Sequence, residues 1–171
     1  PLPPIEAETL NSGIPGLDAL MGGGLLRRSV TLVSGSPGVG KTILAIQFLL
    51  EGARAKQKGL YVTLEEGAEQ LLASADALAL PLRKAVTDGL VEILYVSREH
   101  VRAGQFLSML ADRLTAMSAQ RVVLDAATQM LTASMTIEEF RNVLYKLAVK
   151  LKTLGITSVL TLEASSLSST E

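Results

Sequence analysis

Five short runs of β-branched and aliphatic residues recur along the chain: VTLVS (30–34), GLYVTLE (59–65), VEILYV (91–96), RVVLD (121–125) and ITSVLTLE (156–163). Most show little polar alternation, the pattern of strands covered on both faces. Between the runs the apolar residues take helical spacing. The segment from Thr42 to about Lys56 is apolar nearly all round, which predicts a buried helix. Leu71, Leu72, Ala75 and Leu78 keep helical spacing up to Pro81, and Phe106, Leu107, Leu110, Leu114 and Met117 do the same in the next interval. Both predict amphipathic helices. The last helix has the clearest limits: Thr136 and Glu139 form a Thr-x-x-Glu capping box, Phe140, Val143, Leu144, Leu147, Leu151 and Leu154 form the stripe, and Gly155 ends it. Strand and helix alternate through most of the chain. That predicts an α/β fold built from right-handed βαβ units, with five mostly parallel strands and helices on both faces. Residues 1–171 read as a single domain without internal repeat or long linker. The Pro-rich start, 1–9, is expected to be a flexible arm and the polar finish, 164–171, a flexible tail.

Composition narrows the function classes. With 171 residues, 48% hydrophobic and 19% charged, the chain can bury a sizeable core, and an ordered chain is expected. The formal charge of -1, from 16 basic and 17 acidic residues, gives no global field toward nucleic acid or an anionic membrane. There is no cysteine, so disulfides, thiolate metal sites and cysteine nucleophiles are out, which fits a reducing cytoplasm. Each apolar run is shorter than the roughly 18–20 residues that span a bilayer. The start lacks the basic-then-apolar order of a signal peptide.

The first strand-like run stops abruptly in glycines. Gly35, Gly40, Lys41 and Thr42 satisfy G-x-x-x-x-G-K-[ST], placed between an apolar strand and a helix as its physics requires. Glycines let backbone N–H groups turn inward into a nest for phosphate oxygens, and the following helix adds unpaired donors and its positive dipole end. The whole loop, Gly35, Ser36, Pro37, Gly38, Val39, Gly40, Lys41, Thr42 and Ile43, is the candidate nucleotide-binding segment. Lys41 is expected at the β- and γ-phosphates of ATP, and Thr42 at a Mg²⁺ ion that bridges phosphate oxygens. Asp125, which ends the run RVVLD, is the candidate second metal ligand; alone, such an Asp reads equally as a solvated strand end or a helix cap. Glu65 and Glu66 end another strand. They read as catalytic groups orienting water, or as solvated acids opening the next helix.

Together these residues resemble the KaiC-like ATPases of the RecA superfamily from about Leu10 to Glu163. SGIPGLDALMGGGL (12–25) resembles that family's entry segment, GSPGVGKT its Walker A loop and GLYVTLEE its strand ending in paired glutamates. RVVLD is similar to its Walker B strand, and LKTLGITSVLTLE (151–163) to its following helix and sensor strand. The resemblance implies a RecA-type core with the sensor strand between the Walker A and Walker B strands and the glutamate strand beside Walker B. It also implies Glu65 and Glu66 as activators of the attacking water, with Lys41 assisting. A homo-oligomer is implied as well, usually a hexameric ring, with ATP or ADP between neighbours. The double glutamate and the Gly-Ile-Pro-Gly-Leu-Asp entry favour KaiC over the RecA or RadA recombinases. Departures are visible. Leu26 stands for the family's usual Pro, Arg28 for its Gly, and Ala126 for the serine after Asp125. Family members continue past the fifth strand into strands bearing Lys and Arg that reach the neighbour's nucleotide. The expectation is therefore a domain lacking those strands, with weak turnover.

Other residues carry less. His100, the only histidine, reads as a solvated loop residue, a phosphate contact or a general base. Met109, Met117, Met130 and Met135 read as gap-fillers. Arg27 and Arg28 read as a solvated turn or as contacts to a nucleotide or a neighbour. Loop 126–135, without Lys or Arg, argues against strong DNA binding there. Three functions remain open: a Mg²⁺-dependent ATPase coupled to assembly or signalling, a nucleotide-binding signalling or scaffold module with little hydrolysis, and a RecA/RadA-like DNA-dependent ATPase.

Overall fold

A computed structural model describes residues 8–97, 101, 105–131 and 135–164. The central sheet holds five strands, β3 (Val30–Gly35), β4 (Gly59–Thr63), β5 (Val91–Tyr95), β6 (Arg121–Asp125) and β7 (Thr157–Glu163), in the order β3-β7-β6-β4-β5. Every pairing in it is parallel. The sensor strand lies between the phosphate-loop strand and the Asp125 strand, and the glutamate strand lies on the other side of Asp125, as the resemblance implied.

The lack of polar alternation has a direct cause. Along β4 and just beyond it, Leu60, Val62 and Leu64 feed one apolar cluster, with Val122 and Leu124 of β6 and Leu160 of β7. Tyr61 feeds the other, with Val123 and Val159. Two layers of helix cover these faces. On the first lie α5 (Phe106–Ala116) and α6 (Ile137–Thr153), which bury Phe106, Leu110 and Leu114, and Phe140, Leu147 and Leu151. On the second lie α2 (Lys41–Arg54), α3 (Ala68–Ala77) and α4 (Leu82–Thr87). The capping box of α6 is present in full: Glu139 N donates to Thr136 Oγ1, and Thr136 N donates to Glu139 Oε2.

Three details differ from the sequence reading. Leu78 lies beyond α3 and is 52% exposed, because the helix ends at Ala77 and turns toward α4, a short element that the apolar spacing did not reveal. β3 is only half-buried, since among the described residues it is an edge strand with one neighbour, β7. The entry segment is more ordered than an arm. Thr9, counted in that arm, belongs to β1 (Thr9–Leu10), which pairs antiparallel with β2 (Leu25–Leu26) on either side of α1 (Pro15–Leu20). Only glycine fits at position 24 in that turn, where φ is +114° and a Cβ would stand 2.2 Å from the Leu10 carbonyl oxygen. Arg28 holds the left-handed conformation, φ +59°, that the family's glycine would occupy freely, and its N–H donates to Thr157 Oγ1 at 2.9 Å. Residues 1–7, 165–171 and His100 lie outside the described residues.

The amino end of the sheet is pinned by Arg121, which is 2% exposed. Its guanidinium donates to the side chain of Gln57 at 2.8 Å and to the carbonyls of Asn11 at 2.8 Å and Phe48 at 2.9 Å. It also lies 4.7 Å from the centre of the Phe48 ring. Entry segment, α2 and β6 are thereby tied together. Among the described residues, no helix is long and apolar enough to cross a membrane.

Candidate active site

At the carboxyl end of the sheet, β3 delivers Gly35 and α2 begins at Lys41. The loop between them closes tightly, with Val39 Cγ2 in the space a Cβ on Gly35 would need. Gly40 caps α2 from the left-handed region at φ +96° and no side chain blocks the helix end, so its first N–H groups face outward. The ammonium of Lys41 donates to the carbonyls of Gly35 and Ser36, both at 2.9 Å.

Asp125 stands at the end of β6 between two strands whose register carries hydroxyls to it. Thr63 of β4 is paired with Asp125, and the Leu124–Leu160 pairing brings Thr161 of β7 alongside. The buried carboxylate accepts from Thr42 Oγ1 at 2.9 Å, from the Tyr61 hydroxyl and from Thr161 Oγ1. Burial first, and then the Asp125 charge, hold the Tyr61 hydroxyl well above the ordinary tyrosine range, so it remains a donor. The peptide bond from Asp125 to Ala126 is cis.

A cavity of about 270 Å³ opens here, lined by Pro37, Gly38, Gly40, Lys41, Thr42, Ile43, Glu65, Asp125, Ala126 and Glu163. The fold thus gathers the phosphate loop, both candidate metal ligands and one of the two glutamates. Glu66 is not part of the lining; its backbone closes a turn on Thr63, accepting from Thr63 Oγ1 at 2.9 Å and donating back to it at 3.2 Å. Gly35, Ser36 and Val39 also stay off the wall: the first two give their carbonyls to Lys41, and Val39 packs on Gly35. Glu65 accepts a hydrogen bond from the Gln129 amide. Its carboxyl is raised above the usual glutamate range, by partial burial first and then by the negative charge of Glu163, and the Gln129 bond offsets part of this.

Sequence reasoning missed four participants: Tyr61, Thr161, Gln129 and Glu163. Gln129 sits in a 3₁₀ turn (Ala127–Met130) directly after β6. The available signal was that Glu163 and Thr161, like Asp125, close an apolar run at the sheet's carboxyl end, where α/β folds bind ligands.

The donor set fits a magnesium ion. Thr42 and Asp125 offer hard oxygen atoms on one wall, and Mg²⁺ characteristically takes one or two protein oxygens and completes its shell with phosphate oxygens and water. Among the described residues no group of three or more acidic, His or Cys side chains is placed to hold a metal by itself.

Comparison with known proteins identifies the family. The family model described as "ATPase: KaiC" matches residues 10–171. A UPF0273 protein of Methanopyrus kandleri is 27% identical over 171 residues, covering 91% of this chain and 67% of that protein. The circadian clock oscillator protein KaiC of Thermostichus vulcanus is 32% identical over 167 residues, covering 92% of this chain and 32% of that protein. Among solved structures, the KaiC-like protein PH0186 of Pyrococcus horikoshii superimposes with a TM-score of 0.80 at 31% identity, over 92% of this chain and 71% of that one. The chain thus spans about two thirds of the Methanopyrus relative and about a third of the clock protein.

Proposed function

The chain belongs to the KaiC ATPase family of nucleotide-binding domains, and from that premise we propose that the cavity at the carboxyl end of its sheet binds Mg-ATP and hydrolyses it. The observation that carries the reading is the meeting of Lys41, Thr42, Asp125 and Glu65 on one cavity wall, from three separate stretches of structure: the start of α2, the end of β6 and the turn after β4. The loop's N–H groups and the start of α2 bind the phosphates. Lys41 leaves the carbonyls of Gly35 and Ser36 to pair with the γ-phosphate, where charge develops as the bond to the β-phosphate oxygen breaks. Thr42 and Asp125 would hold Mg²⁺, which when bound neutralises charge on the β- and γ-phosphate oxygens. Glu65 orients the attacking water and accepts its proton, and a carboxyl raised above the ordinary range is the more basic for it. Glu66 supports the turn that presents Glu65.

Hydrolysis is proposed to be coupled to assembly of identical chains in a ring, as the family resemblance implies. Nucleic acid is not a proposed partner, given the near-neutral charge. A second reading, a nucleotide-binding signalling module with little turnover, is favoured by Ala126, which lines the cavity without a hydroxyl.

Calorimetry with Mg-ATP tests binding, with Lys41→Ala as the control that should lose it. A Glu65→Gln, Glu66→Gln double variant should keep binding and lose turnover. Unchanged turnover in that variant removes the glutamates from the mechanism, and binding without turnover in the unmodified chain selects the signalling module.

A further inference from the structure

The cavity wall contains a carboxylate that the mechanism above does not use. Glu163 ends β7 in register with Gly35 of the phosphate loop, half-buried, and lines the same cavity as Glu65. The two glutamates sit at the ends of the strands that flank β6, and the turn that follows β6 ties them together. Thr128 Oγ1 accepts from the Glu163 backbone N–H at 3.3 Å, and the next residue, Gln129, donates its side-chain amide to Glu65. One short 3₁₀ segment therefore holds the backbone of Glu163 and the carboxylate of Glu65.

We propose that Glu163 is a positioning residue for hydrolysis: its backbone is held by the turn after β6, and it sets a second negative charge on the wall of the cavity that Glu65 also lines. This rests on the hydrolytic reading of the same cavity. Two like charges beside one cavity disfavour each other's ionised form. Glu163 is the foremost charged group acting on Glu65, ahead of Asp125 on β6 and of the adjoining Glu66. Among the described residues, Lys41, from α2, is the only cation on the wall, and its ammonium is directed to the loop carbonyls. A catalytic base gains proton affinity as its pKa approaches the working pH, so a neighbouring negative charge that would be a defect in a structural glutamate is useful here.

The test reads Glu65 itself before any turnover. In nucleotide-free protein, the side-chain carboxyl carbon of Glu65 is titrated by NMR in the unmodified chain and in Glu163→Gln. The expected result is a lower midpoint in the variant, and an unmoved midpoint overturns the proposal. Should Glu163→Gln not fold, Glu163→Ala reads the same quantity: a lowered midpoint supports the proposal, and the unmodified midpoint overturns it. Turnover gives the second reading. At the pH where the unmodified chain has fallen to half its plateau on the acid side, Glu163→Gln should stand above half of its own plateau. A purely structural role would lower activity at every pH and leave the profile in place. Failure of the hydrolytic reading is distinguished by Glu65→Gln, which would then turn over normally while the NMR shift persisted.

Discussion

β6 buries a charge at each end, and the two are treated in opposite ways. Arg121, at its start, is surrounded by fixed acceptors: two backbone carbonyls, one amide side chain and an aromatic face. Burial lowers its guanidinium to about 10, so it is still cationic at neutral pH. Asp125, at the other end, is held only by hydroxyls, from Thr42, Tyr61 and Thr161, and forms no ion pair among the described residues. Carbonyls of packed backbone cannot turn away, whereas a hydroxyl can rotate and change partner. The amino end is built to stay as it is. The carboxyl end is built to exchange one partner for another.

The comparison can be broken at several strengths. Asp125→Asn should lower turnover by at least about 10²-fold, the scale of removing one electrostatic stabiliser, while the folded state persists in circular dichroism. A loss under tenfold would mean that Asp125 is as structural as Arg121. Arg121→Met should do the reverse. Urea unfolding should show a loss of about 2–4 kcal/mol, from orphaned carbonyls and imperfect filling of the site, with Mg-ATP affinity close to that of the unmodified chain. If affinity collapsed while stability held, the two ends would not be separable. The acid side of the turnover profile sharpens the contrast further. Because the Glu65 carboxyl is raised, it takes up its proton at a higher pH than an ordinary glutamate, so turnover should fall earlier as pH is lowered. The same sign makes ionised Glu65 a cost to the folded state above the unfolded value, so Glu65→Gln should not lower stability at neutral pH. A clear drop in its melting temperature would count against that. Tyr61→Phe is the smallest change. It removes one of the hydroxyls on Asp125, for a loss of about 1 kcal/mol in urea unfolding and without loss of nucleotide binding.

How much of this was legible in the sequence depends on whether the signal is local. The phosphate loop, the capping box of α6 and the doubly covered strands are each written within about a dozen consecutive residues, and all are present in the structure. The order of strands came from the resemblance, since nothing in an apolar run states its neighbour. Cross-strand features stayed hidden. Thr161 meets Asp125 because of the register between β6 and β7, and Arg121 meets Asn11 across more than a hundred residues. Glu65 and Glu66 are equivalent in sequence, and only the turn closed by Thr63 separates one that lines the cavity from one that does not. α4 was missed because six residues after a proline are too few to show a period.

The bonds from Lys41 to its own loop have a consequence for selectivity. An ammonium with two carbonyl partners is already paid in neutral coin, so an incoming ligand gains only the difference between those contacts and its own. A weakly charged ligand offers little above the carbonyls. A triphosphate, bringing several negative oxygens at once, would offer the most, so under the proposed function the loop would rank nucleotides by the charge at their far end.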